Sequence, residues 1–143
     1  MRIIFWGTPE YSVKSLQVIN KSNHDIVAVI TQPDKRRSRG NKLTPSPVKE
    51  YALKEGIPVF TPETIKGNKE IKSTLEKLSC DLFIVIAYGK ILPKSILDIP
   101  KYKSWNAHAS LLPRWRGAAP IQWSILEGDE FTGVGIMKMD EGL

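Results

Sequence analysis

A chain of 143 residues with 25% charged and 41% hydrophobic residues fits one globular domain with a core of its own. Its 21 Lys and Arg against 15 Asp and Glu leave a net charge of +6, which permits a polyanionic partner without requiring one. The single cysteine, Cys80, excludes an internal disulfide and reads as a small apolar residue ahead of a strand, as suits a reducing cytoplasm.

The N-terminal "MRIIFWG" is too short for a signal-peptide core, and no apolar run nears membrane-spanning length. The expectation is a cytoplasmic protein without a membrane partner. "RIIFW" (2–6) is a β-rich apolar run, after which Thr8 is placed to cap a helix and Pro9 suits its first turn. Val13, Leu16 and Ile19 continue that helix at helical spacing. "DIVAVIT" (25–31) reads as a strand covered on both faces. Residues 32–47, "QPDKRRSRGNKLTPSP", read as a long polar loop, and Ser46-Pro47 then opens a helix to about Lys54, closed by Gly56. "IPVF" (57–60) is a short strand and 68–79 a charged amphipathic helix. "DLFIVIAYG" (81–89) is the strongest strand, "SWNAHAS" (104–110) a weaker one, 118–127 a helix, and "TGVGIMKMD" (132–140) a last strand. Strand and helix alternating at this interval predict a doubly wound, mostly parallel α/β sheet with helices on both faces.

Such an architecture invites nucleotide fingerprints, and they are missing. The turn after the first strand is "GTPEYS" rather than G-x-G-x-x-G, and there is no P-loop and no G-x-S-x-G elbow. Two histidines and one cysteine, far apart, make no metal-ligand cluster. What remains is Asn106 and His108. On a strand these share a face with Ser104, and at the C-terminal end of a parallel strand that face opens onto the usual crevice. An amide and an imidazole side by side can polarise a carbonyl, stabilise the oxyanion formed on attack, and move a proton. Spacing alone nevertheless favours a plainer role, in which both satisfy backbone groups at a strand end. The run Lys35, Arg36, Arg37, Arg39, Lys42 and Lys49, facing Asp34 alone, is by default a solvated loop. Its position near the active face, with Gly40 and prolines constraining its path, makes it a candidate for phosphate contacts. Trp105, Trp115 and Trp123 read as core or rim packing rather than base-stacking platforms.

"WNAHASLLPRWRGAAPIQWSI" resembles the signature of the 10-formyltetrahydrofolate-dependent formyltransferases, N-x-H-x-S-L-L-P-x-x-x-G after a central strand. The resemblance extends over "RIIFWGTPEYS", "TQPDKRRSRGNKLTPSPVK", "VIAYGKILPKSIL" and "TGVGIMKMDEGL". It implies a Rossmann-like fold and transfer of a formyl group from N10 of 10-formyltetrahydrofolate, without a metal, to the amine of initiator methionyl-tRNA for translation initiation. It gives Asn106 the oxygen of the tetrahedral intermediate and His108 the charge and proton movement. Tyr88, Gly89, Ile91, Leu92, Ser110, Leu111, Leu112, Pro113, Met139 and Asp140 are the implied folate contacts. Lys35, Arg36, Arg37, Arg39 and Lys42 are the implied tRNA contacts, with Arg39 in the place of the key arginine. In the family a third catalytic residue, an aspartate, directly follows the Gly-Leu that ends this chain at Leu143. Residues 1–143 are therefore expected to form a catalytic domain cut short, inactive alone, with a C-terminal tRNA-binding domain beyond it. Two alternatives stay open: a sugar-nucleotide or glycinamide ribonucleotide as acceptor, and a folate- or tRNA-binding module without catalysis.

Overall fold

The apolar run at the N-terminus forms β1 (Arg2–Gly7), buried at every position after Arg2, which only a central strand allows. β1 belongs to a computed structural model that describes residues 1–37, Arg37 by its backbone alone, and 41–141. The expectations placed on Arg39, Gly40 and Leu143 lie outside the described residues. The elements that follow are α1 (Glu10–Asn20), β2 (Asp25–Ile30), β3 (Lys35–Arg37), β4 (Lys42–Thr44), α2 (Pro47–Lys54) and β5 (Val59–Phe60). After them come α3 (Lys69–Lys77), β6 (Leu82–Ile86), α4 (Lys94–Leu97), β7 (Ser104–His108), α5 (Pro120–Leu126) and β8 (Gly135–Lys138).

Six strands make one sheet in the order β5-β2-β1-β6-β7-β8. Every pairing is parallel except β7 with β8, which is antiparallel. Strand alternation divides the core in two. Ile4, Trp6, Phe83 and Val85 face Ile71 and Leu75 of α3 and Ile96 and Leu97 of α4. Phe5, Ile26 and Val29 face Val13 and Leu16 of α1 and Val48 and Ala52 of α2. Helices thus cover both faces, as the alternation of the sequence predicts. Leu16 and Leu75 are fully buried on opposite sides, and such burial stabilises by roughly 1.5–3 kcal/mol per side chain. Cys80 is buried in the α3 side of the core, and burial pushes its thiol up to about 11, so it is an inert packing residue.

From β1 the chain steps to β2 and β5 on one side, and later to β6, β7 and β8 on the other. Direction reverses between β1 and β6, where open α/β sheets form their ligand crevice beyond the strand ends. Gly7 closes β1 there because no side chain fits: a Cβ would stand 2.7 Å from the Phe5 ring and 3.0 Å from the Ile86 carbonyl oxygen. The Ser46 start of α2 is as expected. Ser46 Oγ accepts from Lys49 N–H at 3.0 Å, and the hydroxyl also meets buried Thr31 Oγ1 at 2.6 Å, tying the helix to the end of β2.

Three expectations need correction. Thr8 does not cap α1; Pro9 occupies that position, with no side-chain cap bond. The Thr8 hydroxyl instead donates to the Tyr88 carbonyl oxygen at 2.9 Å, a tertiary bond that outcompetes the local one. The 32–47 segment is not all loop, because β3 and β4 pair as an antiparallel hairpin, with Lys35 opposite Thr44 and Arg36 opposite Leu43. Its short polar strands carry no alternating apolar pattern to announce them. Finally, α4 is a further element, and β8 is shorter than 132–140 suggested.

Candidate active site

Asn106 and His108 lie on the face of β7 that carries Val85 and Phe83 on the neighbouring strand, through the pairs Val85–Asn106 and Phe83–Ser104. The rise of a strand puts residues two apart at roughly 6.6 Å, close enough for two side chains to converge on one carbonyl. Both are half-buried and line a cleft of about 520 Å³, a size that suits a small-molecule ligand. Among the described residues none hydrogen-bonds the Asn106 side chain, so its amide is open to the cleft. His108 is different. Its Nε2 lies 2.8 Å from the Trp115 carbonyl oxygen. A carbonyl only accepts, so Nε2 carries the hydrogen and Nδ1 is the ring nitrogen left for another partner.

The opposite wall is the segment after β6. Ala87 and Gly89 have φ of +52° and +90°, so the chain between them turns sharply at the strand end. Side chains from two loops and from α1 hold this turn, and its own Lys90 ties it to a third loop. Thr8 and Gln32 both donate to the Tyr88 carbonyl oxygen, at 2.9 and 3.0 Å, and Ser12 donates to that of Ile86 at 2.8 Å. Lys90 Nζ spans to the Pro62 and Glu63 carbonyl oxygens at 3.1 and 2.6 Å. The wall is therefore preformed. Gln32 and Lys90 went unnoticed in the sequence because each looks like an ordinary polar loop residue, and Thr8 reads there only as a helix cap.

Of the residues named as folate contacts, Tyr88, Gly89, Ile91, Leu92 and Met139 line the cleft beside Asn106 and His108. Tyr88 is mostly a core side chain, edge-on to Trp6 at 5.1 Å; its hydroxyl has no partner among the described residues, and burial pushes its pKa up to about 12. Ser110, Leu111, Leu112, Pro113 and Asp140 are not among the lining residues. Ser110 is fully buried, and the two leucines pack against the backbone leading into β8. Leu111 Cδ2 comes 2.6 Å from where a Gly133 Cβ would be, and Leu112 Cδ1 comes 3.1 Å from that of Gly135. "SLLP" thus seats the loop, while Ala118, Ala119, Ile121 and Gln122 supply the cleft wall on that side.

Beyond the loop, a second hollow of about 430 Å³ lies between Leu111, Arg114, Trp115 and the 128–132 turn. There Arg114 and Asp129 are closed on each other, and neither Asn106 nor His108 lines it, so both candidate catalytic residues belong to the larger cleft. Trp115 is half-buried, while Trp105 and Trp123 are exposed, which places them at the rim and not in the core. Lys35, Arg36 and Lys42 are exposed on the β3–β4 hairpin, where Arg36 Nη1 donates to the Asn41 carbonyl oxygen at 3.0 Å. Lys49 is committed elsewhere, in an ion pair with Asp34 at 2.8 Å. The hairpin begins three residues after Gln32, so it leaves the same edge of the sheet as the cleft. Among the described residues no helix is long and apolar enough to cross a membrane.

The family model for formyl transferases matches residues 1–143. A methionyl-tRNA formyltransferase of Prochlorococcus marinus subsp. pastoris is 85% identical over all 143 residues, which cover 44% of its own length. Another, from a Sulfurihydrogenibium species, is 60% identical over 139 residues, covering 97% of this chain and 45% of the relative. The chain thus spans less than half the length of the curated relatives it matches. Among solved structures, a phosphoribosylglycinamide formyltransferase of Bacillus halodurans superposes with a TM-score of 0.76 at 20% identity, over 99% of this chain and 73% of that one. At that identity the likeness speaks for the fold alone.

Proposed function

Because the chain belongs to the formyl transferase family, we propose that its cleft moves a formyl group from 10-formyltetrahydrofolate to the amine of initiator methionyl-tRNA. The observation that carries this reading is the Asn106–His108 pair: an amide with no partner among the described residues beside an imidazole with one nitrogen held and, among those residues, one free. The amine nitrogen bonds to the formyl carbon, and the carbonyl oxygen takes the negative charge. Asn106 Nδ2 donates to that oxygen, a role that gains strength only as the charge develops. When the bond from carbon to N10 breaks, the proton lost by the attacking amine must reach N10, and His108 Nδ1 is placed to carry it. The folate is a co-substrate and supplies the activated formyl carbon. The cleft suits its ring: Val85, Ile91, Leu92 and Met139 give apolar walls, and the turned peptides of 87–90 give a polar edge.

The acceptor is assigned from two supports. The highly similar relatives are named methionyl-tRNA formyltransferases, and a hairpin with Lys35, Arg36 and Lys42 exposed begins three residues after Gln32, whose side chain bonds the Tyr88 carbonyl oxygen of the cleft wall. An amine on a small molecule has no need of several phosphate contacts along a strand pair. Arg37 and Arg39 are assigned to tRNA contact as well, from the sequence resemblance alone. The test is formyl transfer by the full-length protein that carries this chain to initiator methionyl-tRNA, to glycinamide ribonucleotide and to an amino-sugar nucleotide at equal folate. Transfer to the tRNA alone is expected. Faster transfer to either small amine would overturn the acceptor assignment, and folate binding with no transfer to any would overturn the catalytic one.

A further inference from the structure

The Trp115 carbonyl that holds His108 is itself held by a clamp. Trp115 stands at φ +57°, a left-handed conformation that a bulky side chain adopts only when its surroundings enforce it. The enforcement comes from three directions. Asp129 Oδ2 accepts from Trp115 Nε1 at 2.6 Å, and Trp123 of α5 stacks on the indole at 5.9 Å between centroids and 12° between planes. Arg114 lies over the indole, its guanidinium carbon 4.2 Å from the ring centroid. Arg114 is fixed in turn by a two-pronged pair to Asp129, Nε at 3.0 Å and Nη2 at 2.7 Å. Asp129 is anchored at the end of α5, where its N–H donates to the Ser124 carbonyl oxygen at 2.9 Å. One carboxylate therefore accepts from both sides of the loop, and the loop's carbonyl points at the histidine.

We propose that Asp129 is a positioning residue for His108: by locking Arg114 and Trp115 it aims the Trp115 carbonyl at Nε2 and fixes the ring in the form that leaves Nδ1 free. This rests on the reading that His108 serves the transfer step. Without the clamp, Trp115 relaxes from its left-handed conformation, the carbonyl turns away, and the ring exchanges between its two neutral tautomers. In one of them Nδ1 carries the hydrogen and cannot accept a proton from the amine. Asp129 touches no substrate in this scheme.

The test uses the full-length protein with nitrogen-15-labelled histidine at about pH 8, above the usual histidine range near 6.5, with His108 assigned against His108→Gln. The parent is expected to show one protonated and one unprotonated ring nitrogen. In Asp129→Ala the two resonances should move toward each other, with kcat down at least tenfold and KM for the folate within twofold. Trp115→Phe keeps the carbonyl and an aromatic stack but loses the N–H that Asp129 accepts, so it should move both readouts the same way by less. It also decides the matter should Asp129→Ala fail to fold. Parent-like nitrogen resonances in a folded variant would overturn the proposal even if activity fell, since that fall would then be merely structural. The spectrum reports the tautomer whether or not the ring is catalytic. Unchanged turnover in His108→Ala would instead overturn the catalytic reading on which the proposal rests.

Discussion

Replacing Asn106 with Ala separates the two roles that its position allows. The side chain is half-buried and none of the described residues bonds to it, so truncation orphans no buried partner. The fold should therefore lose less than about 1 kcal/mol, as for a polar group removed without leaving an unpaired mate. If the amide serves the developing oxyanion, the whole effect falls on the reaction: loss of one such donor costs roughly 10²–10³-fold in kcat, or about 3–4 kcal/mol. His108→Ala should be comparably slow, and the double variant should lose less than the product of the two, since both groups act on one intermediate. The assay is single-turnover formylation of initiator methionyl-tRNA at saturating folate, with folate affinity and urea stability measured on the same preparations. A variant whose kcat stays within severalfold of the parent, or whose loss lies wholly in folate affinity, would refute the assignment. So would a large drop in stability, which would mean that Asn106 is a strand-end polar group serving the backbone.

Neutralising Lys35, Arg36 and Lys42 together should weaken tRNA binding and leave folate binding intact, with the log-log salt slope falling by roughly 0.7–0.9 per lost phosphate contact; an unchanged slope returns the hairpin to plain solvent. Ser46→Ala removes the cap of α2 and orphans the buried Thr31 hydroxyl, so urea melts should show a loss of about 2–4 kcal/mol, partly recovered by Thr31→Val. Tyr88→Phe deletes a buried hydroxyl with no partner among the described residues and should leave stability unchanged or raise it by about 1 kcal/mol; a clear loss would show that the hydroxyl is paired in solution. Hydrogen bonds from Arg114 and Trp115 hold the Asp129 carboxyl down at about 2, against an unfolded value near 3.9. A depressed carboxyl stabilises above its unfolded value and ceases to do so as pH falls through its folded one. The stability gap between parent and Asp129→Asn should thus be full above about pH 4 and shrink toward pH 2, and a gap that stays constant over that window would deny the clamp its charge.

The central strands were legible because helices cover both of their faces and they read as unbroken apolar runs. "RIIFW" and "DLFIVI" need no partner to be recognised. Helix α2 was legible for a local reason too, since Ser46 and Pro47 form a cap and a first turn within consecutive residues. What escaped was set by contacts across the chain. The hydroxyl of Thr8 fits a cap as well as it fits the carbonyl of residue 88, and only the fold decides between them. The hairpin hid inside a charge run whose strands bury nothing. The seating of the "SLLP" leucines beside Gly133 and Gly135 escaped as well, because only the fold brings those glycines and the room they leave to that loop.

The pair at Asn106 and His108 shows why spacing left two readings open. A histidine at a strand end that satisfies a backbone carbonyl and one that moves protons in a cleft were set against each other as alternatives. His108 meets the first description through Trp115 and stands where the second requires it. The bond to the backbone is what gives the other nitrogen a defined state, since an imidazole with both nitrogens unbound exchanges between tautomers and offers a base only part of the time. No motif could announce this, because the acceptor is a main-chain oxygen and its aim is set by Asp129, which in "EGDEF" reads as one more solvated charge. The side chains proposed to touch the substrate are written in the strand; the contacts that orient His108 are written in the loop that packs behind it.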